Sequence, residues 1–504
     1  MNLMMLLEMA ASGFGDREAF RNEGASLSYA DLFRAAGAAA REVRGSGRER
    51  LALLDTSSLA LPVGLFASAW AGVPFVPLNY RLTGSELSRL LAEVAPCQLV
   101  TDPERAGALS KLDGSRVLSR DAFLSSARAG DPGESDWEMD PDATAVLLFT
   151  SGTTGAPKAA VLRHKHLVSY ILGSVEFGSA GEDDATLVSV PPYHVAGIAA
   201  MASSVYAGRR IVQLPSFSAE AWVALARKER VTSAFVVPTM LVRIVEALAR
   251  EGSPQLPDLR AISYGGGRMP QEVIARAMEL LPDCDFTNAY GLTETSSTIT
   301  VLDPEDHRAA ASSADAKIRR RLGSVGRALP SVELQVRGEG GAPVEPEERG
   351  EVFVRGEQVS GEYLGHGSRL DADGWFPTRD AGWLDRDGYL FVEGRIDDVI
   401  VRGGENLSPG EIEDVLRQHP AVADCAVVGI PSEQWGEAVA AAVVLAPGQR
   451  AETAELAEWV RSRLRSSRTP EQIEFRAELP YTETGKLLRR QVRAELARFA
   501  RGTP

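Results

Sequence analysis

The most distinctive ten residues of the chain read Phe149-Thr150-Ser151-Gly152-Thr153-Thr154-Gly155-Ala156-Pro157-Lys158, and they directly follow an apolar run at residues 145–148. Two glycines let the backbone bend, so that amide groups can point at an anion. Four hydroxyls and one ammonium group add donors around the same point. The spacing of a Walker A loop, Gly-x-x-x-x-Gly-Lys-Ser/Thr, is absent. The ten residues therefore predict a phosphate-binding loop of another kind, and the alternative is a hydroxyl-rich surface loop.

Around this loop, short apolar runs alternate with helical patterns through most of the chain up to about residue 330. The predicted strands span residues 50–55, 73–77, 98–101, 143–149, 185–191, 210–214, 233–238 and 261–264. Such alternation favours parallel sheets covered by helices. After about Ser324, apolar runs at residues 332–336, 351–355 and 389–393 are joined by Gly, Pro and Asp turns, which predicts a smaller antiparallel unit.

The remainder of the chain, past Asp397, has the pattern of a compact α+β module, and its tail at residues 489–501 predicts a solvated helix. We therefore expect the α/β class and two domains. The large N-terminal domain, residues 1–396, would contain the helix-covered sheets and the small β unit. The smaller α+β domain would occupy residues 397–504.

The composition is that of an ordinary globular protein: 44% of the 504 residues are apolar and 24% are charged. Lys and Arg number 54 and Asp and Glu number 69, so the formal net charge is −15. A polyanion would need a local basic patch to offset that field, which argues against a nucleic-acid partner. Cys97, Cys284 and Cys425 lie far apart in no paired motif, which argues against a disulfide framework or a zinc site.

One uncharged stretch, residues 59–78, is long enough to cross a bilayer. Proline and glycine interrupt it, so it predicts a buried helix near residues 62–70, then a turn and a short strand at residues 73–77. The chain begins without a basic region, so no signal peptide is predicted. We therefore expect no membrane span and a cytoplasmic location.

Further motifs follow one another along nearly the whole chain. They read Leu27-Ser28-Tyr29-Ala30-Asp31-Leu32, Gly72-Val73-Pro74-Phe75-Val76-Pro77-Leu78-Asn79-Tyr80-Arg81-Leu82, Pro192-Tyr193-His194, Asn288-Ala289-Tyr290-Gly291-Leu292-Thr293-Glu294, Gly374-Trp375-Phe376-Pro377-Thr378-Arg379-Asp380, Gly394-Arg395-Ile396-Asp397-Asp398, Gly403-Gly404-Glu405-Asn406-Leu407-Ser408-Pro409-Gly410-Glu411-Ile412-Glu413 and Gly485-Lys486. Together with the loop they resemble, in the same order, the motifs of the adenylate-forming superfamily, which comprises acyl-CoA synthetases, peptide-synthetase adenylation domains and luciferases. The acyl-CoA ligase branch is the one that the chain resembles.

The resemblance implies a binding site for ATP. It assigns the β- and γ-phosphates to Thr150, Ser151, Gly152, Thr153, Thr154, Gly155 and Lys158, and the other nucleotide contacts to Gly265, Gly266, Gly267, Asn288, Ala289, Tyr290, Gly291, Asp380 and Arg395. Tyr290 would pack on adenine, and Asp380 would accept both ribose hydroxyls, a bidentate role that suits a carboxylate. Glu294 would bind Mg²⁺, a hard cation that prefers oxygen ligands.

The resemblance also implies a catalytic set. Joining a carboxylate to the α-phosphate of ATP brings two anions together, so the reaction needs fixed positive charge and aligned donors. Lys486 would bridge the two groups and Thr293 would donate to the α-phosphate. Glu294, through Mg²⁺, and His194, at the acyl pocket, would complete the set.

A second half-reaction implies movement of the C-terminal domain. The family's domain rotates, so that Lys486 leaves and the loop Gly403-Gly404-Glu405 reaches the thiol of coenzyme A. Asp397 stands at the position of the hinge, where a few residues absorb a large change in backbone angles. The alternative is that Asp397-Asp398 is only a charged linker.

Three residues depart from the family's motifs. Ala159 replaces a glycine after the loop lysine, where its methyl could crowd the loop; Arg379 replaces a glycine beside the ribose acceptor; and Arg268 replaces a residue that is commonly proline or small. One interpretation is drift at solvent-facing side chains. The other is that ATP-dependent adenylation is impaired while thiolation of a preformed acyl-adenylate survives.

The acyl pocket is expected at Tyr193, His194, Ala196 and Gly197. The residues after His194 are uncharged and mostly small, and the Tyr290 motif contains no Arg or Lys that could pair with a second carboxylate. We therefore expect a roomy apolar pocket for a bulky monocarboxylic acid, whether fatty, aryl or polycyclic.

Three functional classes remain open. The first is an acid–thiol ligase that makes acyl-CoA from a small-molecule substrate, the bulky apolar carboxylic acid, with ATP and coenzyme A and through acyl-AMP. The second is an adenylating enzyme that loads the phosphopantetheine arm of a carrier protein. The third is a nucleotide-binding relative that is no ligase, and the retained Lys486, Glu294 and Asp380 argue against it. The resemblance leaves a homodimer open.

Overall fold

The computed structural model describes residues 1–150, 158–251, 256–403, 405–432, 434–482 and 487–500. Its helices are α1 (Met4–Phe14), α2 (Tyr29–Ser46), α3 (Ala60–Ala71), α4 (Gly84–Val94), α5 (Pro103–Ala108), α6 (Arg120–Ala129), α7 (His164–Ser174), α8 (Val195–Ala207), α9 (Ala219–Lys228), α10 (Pro238–Glu251), α11 (Gln271–Leu280), α12 (Pro304–Ser312), α13 (Ala316–Arg319), α14 (Pro409–Arg417), α15 (Thr453–Arg461) and α16 (Arg489–Ala500). Its strands are β1 (Glu18–Asn22), β2 (Ala25–Ser28), β3 (Leu51–Leu54), β4 (Phe75–Pro77), β5 (Gln98–Thr101), β6 (Arg116–Ser119), β7 (Thr144–Thr150), β8 (Lys158–Arg163), β9 (Ala185–Val188), β10 (Arg210–Gln213), β11 (Ser233–Val236), β12 (Ala261–Gly265), β13 (Asp285–Leu292), β14 (Ser297–Leu302), β15 (Arg327–Ala328), β16 (Glu333–Arg337), β17 (Gly350–Arg355), β18 (Glu362–Tyr363), β19 (Gly367–Ser368), β20 (Phe376–Leu384), β21 (Leu390–Arg395), β22 (Ile400–Arg402), β23 (Glu405–Leu407), β24 (Val422–Ser432), β25 (Gly436–Leu445) and β26 (Gln472–Arg476).

Two large sheets carry most of the chain. A nine-stranded sheet has the order β15-β14-β13-β12-β11-β9-β10-β1-β2, and an eight-stranded sheet has the order β19-β18-β8-β7-β4-β3-β5-β6. The central strands of both sheets pair in parallel, whereas β2, β14 and β8 pair antiparallel to their neighbours. The expected α/β class is thus confirmed, with helix-covered parallel sheets at its centre.

Two smaller sheets follow along the chain. The small β unit is the antiparallel sheet β16-β17-β20-β21, and the C-terminal sheet has the order β23-β22-β25-β24 with β26 on β25. A 3₁₀ turn, Ile396–Asp398, joins the last strand of the small sheet to the first strand of the C-terminal sheet. The chain therefore consists of a large N-terminal domain and a smaller C-terminal domain.

The uncharged stretch at residues 59–78 lies in the core. Helix α3 is buried from Ala60 to Trp70, and β4 follows it in the eight-stranded sheet. This arrangement agrees with the helix, turn and strand that the prolines and glycines predict. Within the described ranges, every helix is too short or too polar to cross a bilayer.

The first motif of the sequence acts as a helix cap. Ser28 accepts a hydrogen bond from the amide of Asp31 at 3.0 Å, and Asp31 accepts one from the amide of Ser28 at 3.2 Å. This capping box begins α2, whose Leu32 is buried against the core. The motif therefore has a structural role as the start of α2.

The C-terminal domain has apolar clusters on both faces of its sheet. One contains Ile400, Ile412 and Val460, and the other contains Val492 and Leu496 of α16. The prediction of a solvated tail helix is therefore wrong, because one face of α16 is buried against β24. The four arginines and Glu495 along this helix had suggested solvation. Cys97, Cys284 and Cys425 are all buried and unpaired.

Candidate active site

The site is built around Asp380, which is 6% exposed. The hydroxyl of Tyr290 donates to Asp380 Oδ2 at 2.6 Å, and Arg395 Nε lies 3.2 Å from Oδ1. Arg395 also donates to the carbonyl of Thr378 at 2.6 Å. Strands β13, β20 and β21 thus bring three predicted nucleotide residues together, although Tyr290 and Asp380 are 90 residues apart in sequence.

The backbone around Asp380 explains its position. The register between β17 and β20 shifts between Glu351 and Phe353, so β20 bulges over residues 378–380. The amide of Asp380 donates to Thr378 Oγ1 at 3.1 Å, and that hydroxyl donates to the carbonyl of Val352 at 2.8 Å. A bulge re-aims the side chains that it contains, and here it fixes the direction of Asp380.

The charges of the cluster depend on burial. Burial first, and then the nearby Asp380 carboxylate, raises the pKa of Tyr290 well above its ordinary value, so this phenol is a neutral donor. Burial opposes the charge of Arg395, but the carboxylates of Asp380 and Glu294 raise its pKa overall. Arg395 is therefore a fixed cation within reach of both carboxylates.

Glu294 lies in a 3₁₀ turn (Thr293–Thr295) directly after β13 and is 9% exposed. The hydroxyl of Tyr363 donates to Glu294 Oε1 at 2.5 Å, and the carbonyl of Glu294 accepts the amide of Ser360 at 2.8 Å. Sequence reasoning missed Tyr363, because it lies outside every motif. The structure places Tyr363 in β18, where it pairs with Ala160 of β8.

The donor set around Glu294 suits one metal type. Among the described residues, no group of three or more His, Cys, Asp or Glu side chains could hold a metal ion. Mg²⁺ usually takes one or two carboxylates and completes its shell with water and substrate phosphate oxygens. Glu294 alone therefore fits a Mg²⁺ ion that arrives with a phosphate group.

Both ends of the predicted phosphate loop lie in a hairpin. Thr150 ends β7 and pairs with Lys158, which begins β8, and Thr150 Oγ1 donates to the carbonyl of Lys158 at 3.3 Å. Five predicted loop residues, Ser151, Gly152, Thr153, Thr154 and Gly155, lie outside the described residues. Ala159 is 2% exposed in β8, where its methyl packs in a core cluster with Leu147. The methyl of Ala159 therefore belongs to the core beneath the hairpin.

The glycines of the site let two strands meet closely. Gly265 ends β12 opposite Ala289, and a Cβ on Gly265 would lie 2.1 Å from the carbonyl of Ala289. Gly266 has φ +82°, which favours glycine, and Gly267 follows it. In β13, a Cβ on Gly291 would lie 1.8 Å from the carbonyl of Ser297. These glycines and Tyr290 therefore share the carboxyl ends of neighbouring parallel strands, where α/β sheets bind ligands.

Asn288 has a structural partner instead of a free side chain. Asn288 is buried at the middle of β13, and its Nδ2 donates to the carbonyl of Ser324 at 3.0 Å. That bond ties β13 to the segment that leads into the small sheet. Asn288 therefore contributes to the site by its backbone position.

The predicted acyl pocket lies at the start of α8. His194 caps the helix, because its Nδ1 accepts the amide of Ala196 at 3.2 Å. Burial lowers the pKa of His194 to about 4, so the ring is neutral and its other nitrogen carries the proton. Ala196 and Gly197 are buried in the first turn, and Tyr193 packs at 5.7 Å against Tyr80 from the second motif.

The C-terminal motif residues are held by their own domain. Gly403 has φ +58° and its amide donates to the carbonyl of Trp435 at 2.8 Å. Glu405 accepts a hydrogen bond from Arg468 at 2.8 Å, and sequence reasoning missed that arginine. Lys486 and Gly404 lie outside the described residues. Asp397 lies in the 3₁₀ turn between the two domains.

Comparison with known proteins identifies the family. The model of the AMP-binding enzyme matches residues 7–364, and the model of the AMP-binding enzyme C-terminal domain matches residues 411–486. A feruloyl-CoA synthase from Amycolatopsis is 34% identical, over 94% of this chain and 95% of that protein. An indoleacetate–CoA ligase from Aromatoleum aromaticum is 32% identical over 96% of both chains. A fatty acid–[acyl-carrier-protein] ligase from Streptomyces coeruleorubidus is 33% identical over 94% and 92%.

Solved structures agree along the whole chain. The o-succinylbenzoate CoA synthetase of Bacillus subtilis, in complex with its acyl-adenylate, has a TM-score of 0.85 at 29% identity, over 97% of both chains. ATP-bound MatB from Rhodopseudomonas palustris has a TM-score of 0.88 at 26% identity, over 99% and 100%. Apo MatB from the same organism has a TM-score of 0.78 over the same shares. The chain therefore belongs to the AMP-binding enzyme family and is an AMP-forming acid–thiol ligase.

Proposed function

We propose that this ligase joins a bulky apolar monocarboxylic acid to coenzyme A in a reaction that consumes ATP and uses Mg²⁺ as a cofactor. The observation that carries the choice of acid is the start of α8. From Val195 to Ala207 this helix has no charged residue, and most of its residues are small and buried. Such a wall favours an apolar acyl group and leaves a second carboxylate without a partner.

The names of the relatives support the same class. Ferulate and indoleacetate are aryl monocarboxylic acids, and both relatives span nearly the whole chain.

The two half-reactions balance as follows. A carboxylate oxygen of the acid bonds to the α-phosphorus of ATP and pyrophosphate leaves; then the thiolate sulfur of coenzyme A bonds to the acyl carbon and AMP leaves.

The nucleotide residues divide this work. Asp380 would accept the ribose hydroxyls while Tyr290 and Arg395 hold its carboxylate in place. Mg²⁺ held by Glu294 and the phosphates would neutralise charge on the departing pyrophosphate. Thr150, Lys158 and the loop between them would hold that pyrophosphate, and Thr293 would donate to the α-phosphate.

The acyl side and the lysine complete the assignment. Neutral His194 would present a donor to the acyl carboxylate, with Tyr193, Ala196 and Gly197 around the acyl group. Lys486 would place positive charge between the carboxylate and the α-phosphate. Asp397 would act as the hinge, and residues 403–405 would guide the thiol.

The experiment that tests this proposal separates the two half-reactions. Purified protein is given ATP, Mg²⁺ and ferulate, indoleacetate, a medium-chain fatty acid or 2-succinylbenzoate, and pyrophosphate release is measured. In parallel, synthetic acyl-AMP and coenzyme A are supplied, and acyl-CoA is followed by mass spectrometry. We expect turnover with the apolar acids in both arms. Turnover with 2-succinylbenzoate alone would contradict the apolar pocket.

Two alternatives stay within the same assay. Thioester from acyl-AMP without pyrophosphate release would mean that adenylation is impaired; the buried position of Ala159 removes one of the reasons for that hypothesis. Transfer to a phosphopantetheine-bearing carrier protein but not to coenzyme A would favour carrier loading, which the similarity to the acyl-carrier-protein ligase supports. A homodimer stays a prediction that sedimentation analysis would test.

A further inference from the structure

Two of the residues that depart from the family's motifs lie between the two domains. Arg379 of the small sheet places its Nη2 2.8 Å from Oδ1 of Asp397, in the turn that begins the C-terminal domain. Arg268, which follows the glycines after β12, forms an ion pair with Asp414 of α14. Each arginine thus connects a nucleotide motif of the large domain to a carboxylate of the small one.

Arg379 has a backbone that does not suit its residue type. Its φ is +63°, the left-handed region that glycine adopts more easily than a residue with a Cβ. Its amide donates to Oε1 of Glu351 at 3.1 Å, which holds this conformation in the bulge of β20. The side chain consequently leaves the sheet on the side of Asp397. A strained position at a site invites a functional explanation.

Arg268 occupies a space that a glycine provides. A Cβ on Gly410 would lie 1.7 Å from Nη1 of Arg268 and 3.4 Å from the carbonyl of Glu393. Gly410 and Asp414 lie one turn apart on the same face of α14, so the guanidinium passes over the glycine to reach the carboxylate. Ser408 adds a hydrogen bond to the carbonyl of Glu393 at 3.3 Å.

The contact between the domains is polar and open. A cavity of about 720 Å³ lies beside the Arg268–Asp414 ion pair, and residues of both domains line it, among them Arg349, Glu393 and Ser408. The apolar clusters of the C-terminal domain contain described residues from 400 onward only. Polar interfaces of this kind permit relative movement of domains. The ion pairs are therefore well placed to bias that movement.

We propose that Arg379 and Arg268 are positioning residues that favour the present arrangement of the two domains over the alternative arrangement. This inference rests on the proposed two-step function. The present arrangement, superposed as a whole chain, matches ATP-bound MatB with a TM-score of 0.88 and apo MatB with a TM-score of 0.78. We assign it to adenylation, so the arginines raise the share of molecules that are ready for the first half-reaction.

The exposure of the pairs sets the size of the effect. The side chains are 55% and 51% exposed in the Arg379–Asp397 pair and 43% and 35% exposed in the Arg268–Asp414 pair. Exposed pairs contribute at most about 1 kcal/mol, which changes a population ratio by up to about fivefold. A change of this size is large enough to favour one domain arrangement, and small enough that the C-terminal domain can still change its arrangement in every catalytic cycle.

The first test needs no substrate, so its failure is independent of the proposed function. Spin labels are placed in the full chain at Ala311→Cys and Gln449→Cys, two exposed positions on different domains, while the native cysteines are buried. Double electron–electron resonance then gives the distribution of distances between the domains. We expect Arg379→Gly and Arg268→Ala to shift that distribution toward a second population, by up to about fivefold in ratio.

A matched pair within one domain provides the control. Arg308 and Asp285 are 57% and 51% exposed, and both belong to the large domain. Arg308→Ala should leave the distances unchanged. If Arg379→Gly and Arg268→Ala shift the distances no more than Arg308→Ala does, the proposal is wrong. Arg379→Gly removes a strained side chain, so loss of folding is not expected.

The second test uses charge reversal. Arg379→Asp and Asp397→Arg should each shift the distances, and the double variant, which restores an ion pair of opposite order, should return them toward those of the parent chain. In the activity assay, Arg379→Gly should slow pyrophosphate release with ATP and ferulate, and should leave or raise thioester formation from feruloyl-AMP. Equal loss of both activities, or no recovery in the double variant, would overturn the positioning role.

Discussion

Asp380 is the residue on which the proposed nucleotide site depends most. It accepts from Tyr290 and pairs with Arg395, so its charge is both positioned and balanced. We expect Asp380→Asn to weaken AMP binding by about tenfold or more, because hydrogen bonds to charged groups contribute about 1.5–3 kcal/mol. Isothermal calorimetry with AMP measures this loss.

The control for that variant is Asp371→Asn. Asp371 is a carboxylate in the turn before β20, where it accepts the amides of Asp373 and Trp375. We expect it to leave the affinity for AMP unchanged. Equal affinities in the parent chain and in Asp380→Asn would refute the assignment of Asp380 to the ribose.

Two buried histidines predict sensitivity to acid. Burial lowers the pKa of both His164 and His166 to about 4, and each Nδ1 accepts a backbone amide. The unfolded value is about 6.5, so the unfolded chain binds more protons between these two pH values. The free energy of unfolding should therefore fall as the pH drops from 6.5 to 4, on the order of 3 kcal/mol for each histidine.

Denaturant unfolding at a series of pH values checks this expectation. In that interval the slope of the unfolding free energy against pH reports how many protons the chain takes up on unfolding. His166→Asn should lower that number by about one. His366 is exposed, and His366→Asn serves as the control. A slope that is the same in His166→Asn and His366→Asn would show that the buried ring does not titrate on unfolding.

At this scale the motifs predicted the residues of the cluster but not their partners. Asp380, Tyr290 and Arg395 were all named from the sequence, and they meet. Tyr363 and Arg468 were not, because each acts through a partner that is more than 60 residues away, Glu294 and Glu405 respectively. A single sequence carries no signal for such pairs.

Strands β12 and β13 approach each other closely at Gly265, which predicts that a larger residue at this position destabilises the pair of strands. A Cβ at Gly265 would lie 2.1 Å from a backbone oxygen of the neighbouring strand, whereas a Cβ at Gly267 would lie 3.6 Å from Pro238. Gly265→Ala should therefore separate the strands and lower the unfolding free energy by about 1–3 kcal/mol or more. Gly267→Ala should change it by less than about 0.5 kcal/mol.

Thermal and denaturant unfolding of the two alanine variants measure this difference. AMP affinity provides a second readout, because Tyr290 lies in the strand that Gly265→Ala would displace. If both variants unfold like the parent chain, the close approach of β12 and β13 is not a constraint.

The parallel strands could be predicted because each is a short apolar run between turn residues. The runs at 98–101 and 210–214 correspond to β5 and β10. Strand β20 could not, since Arg379 and Asp380 interrupt its apolar pattern and a bulge displaces its register. Strand β8 has an apolar run of only four residues between Lys158 and Arg163, and the sequence analysis did not assign it.

The whole molecule is divided at the turn around Asp397, and we propose that residues 397–504 fold independently. Both faces of the C-terminal sheet have their own apolar clusters. The isolated fragment should therefore unfold cooperatively in denaturant, with the dispersed amide spectrum of a folded domain. A fragment without a cooperative transition would show that the large domain is needed to stabilise it.

The order of the domains followed from the resemblance, but the contact between them did not. Arg268 and Asp414 are 146 residues apart, and the sequence alone gives no reason to pair them. The two arginines had suggested drift or a loss of adenylation. In the fold they face carboxylates of the other domain, which neither interpretation had considered.

The burial of the three cysteines matters because the reaction forms an acyl-adenylate. An acyl-adenylate is an electrophile that any nearby thiolate could attack, including one of the protein itself. Burial raises the pKa of Cys284 to about 12 and also raises the pKa values of Cys97 and Cys425. All three are therefore buried thiols that stay protonated at neutral pH. The enzyme is thereby protected from acylating its own thiols, and the activated acyl group is kept for the thiol that arrives as substrate.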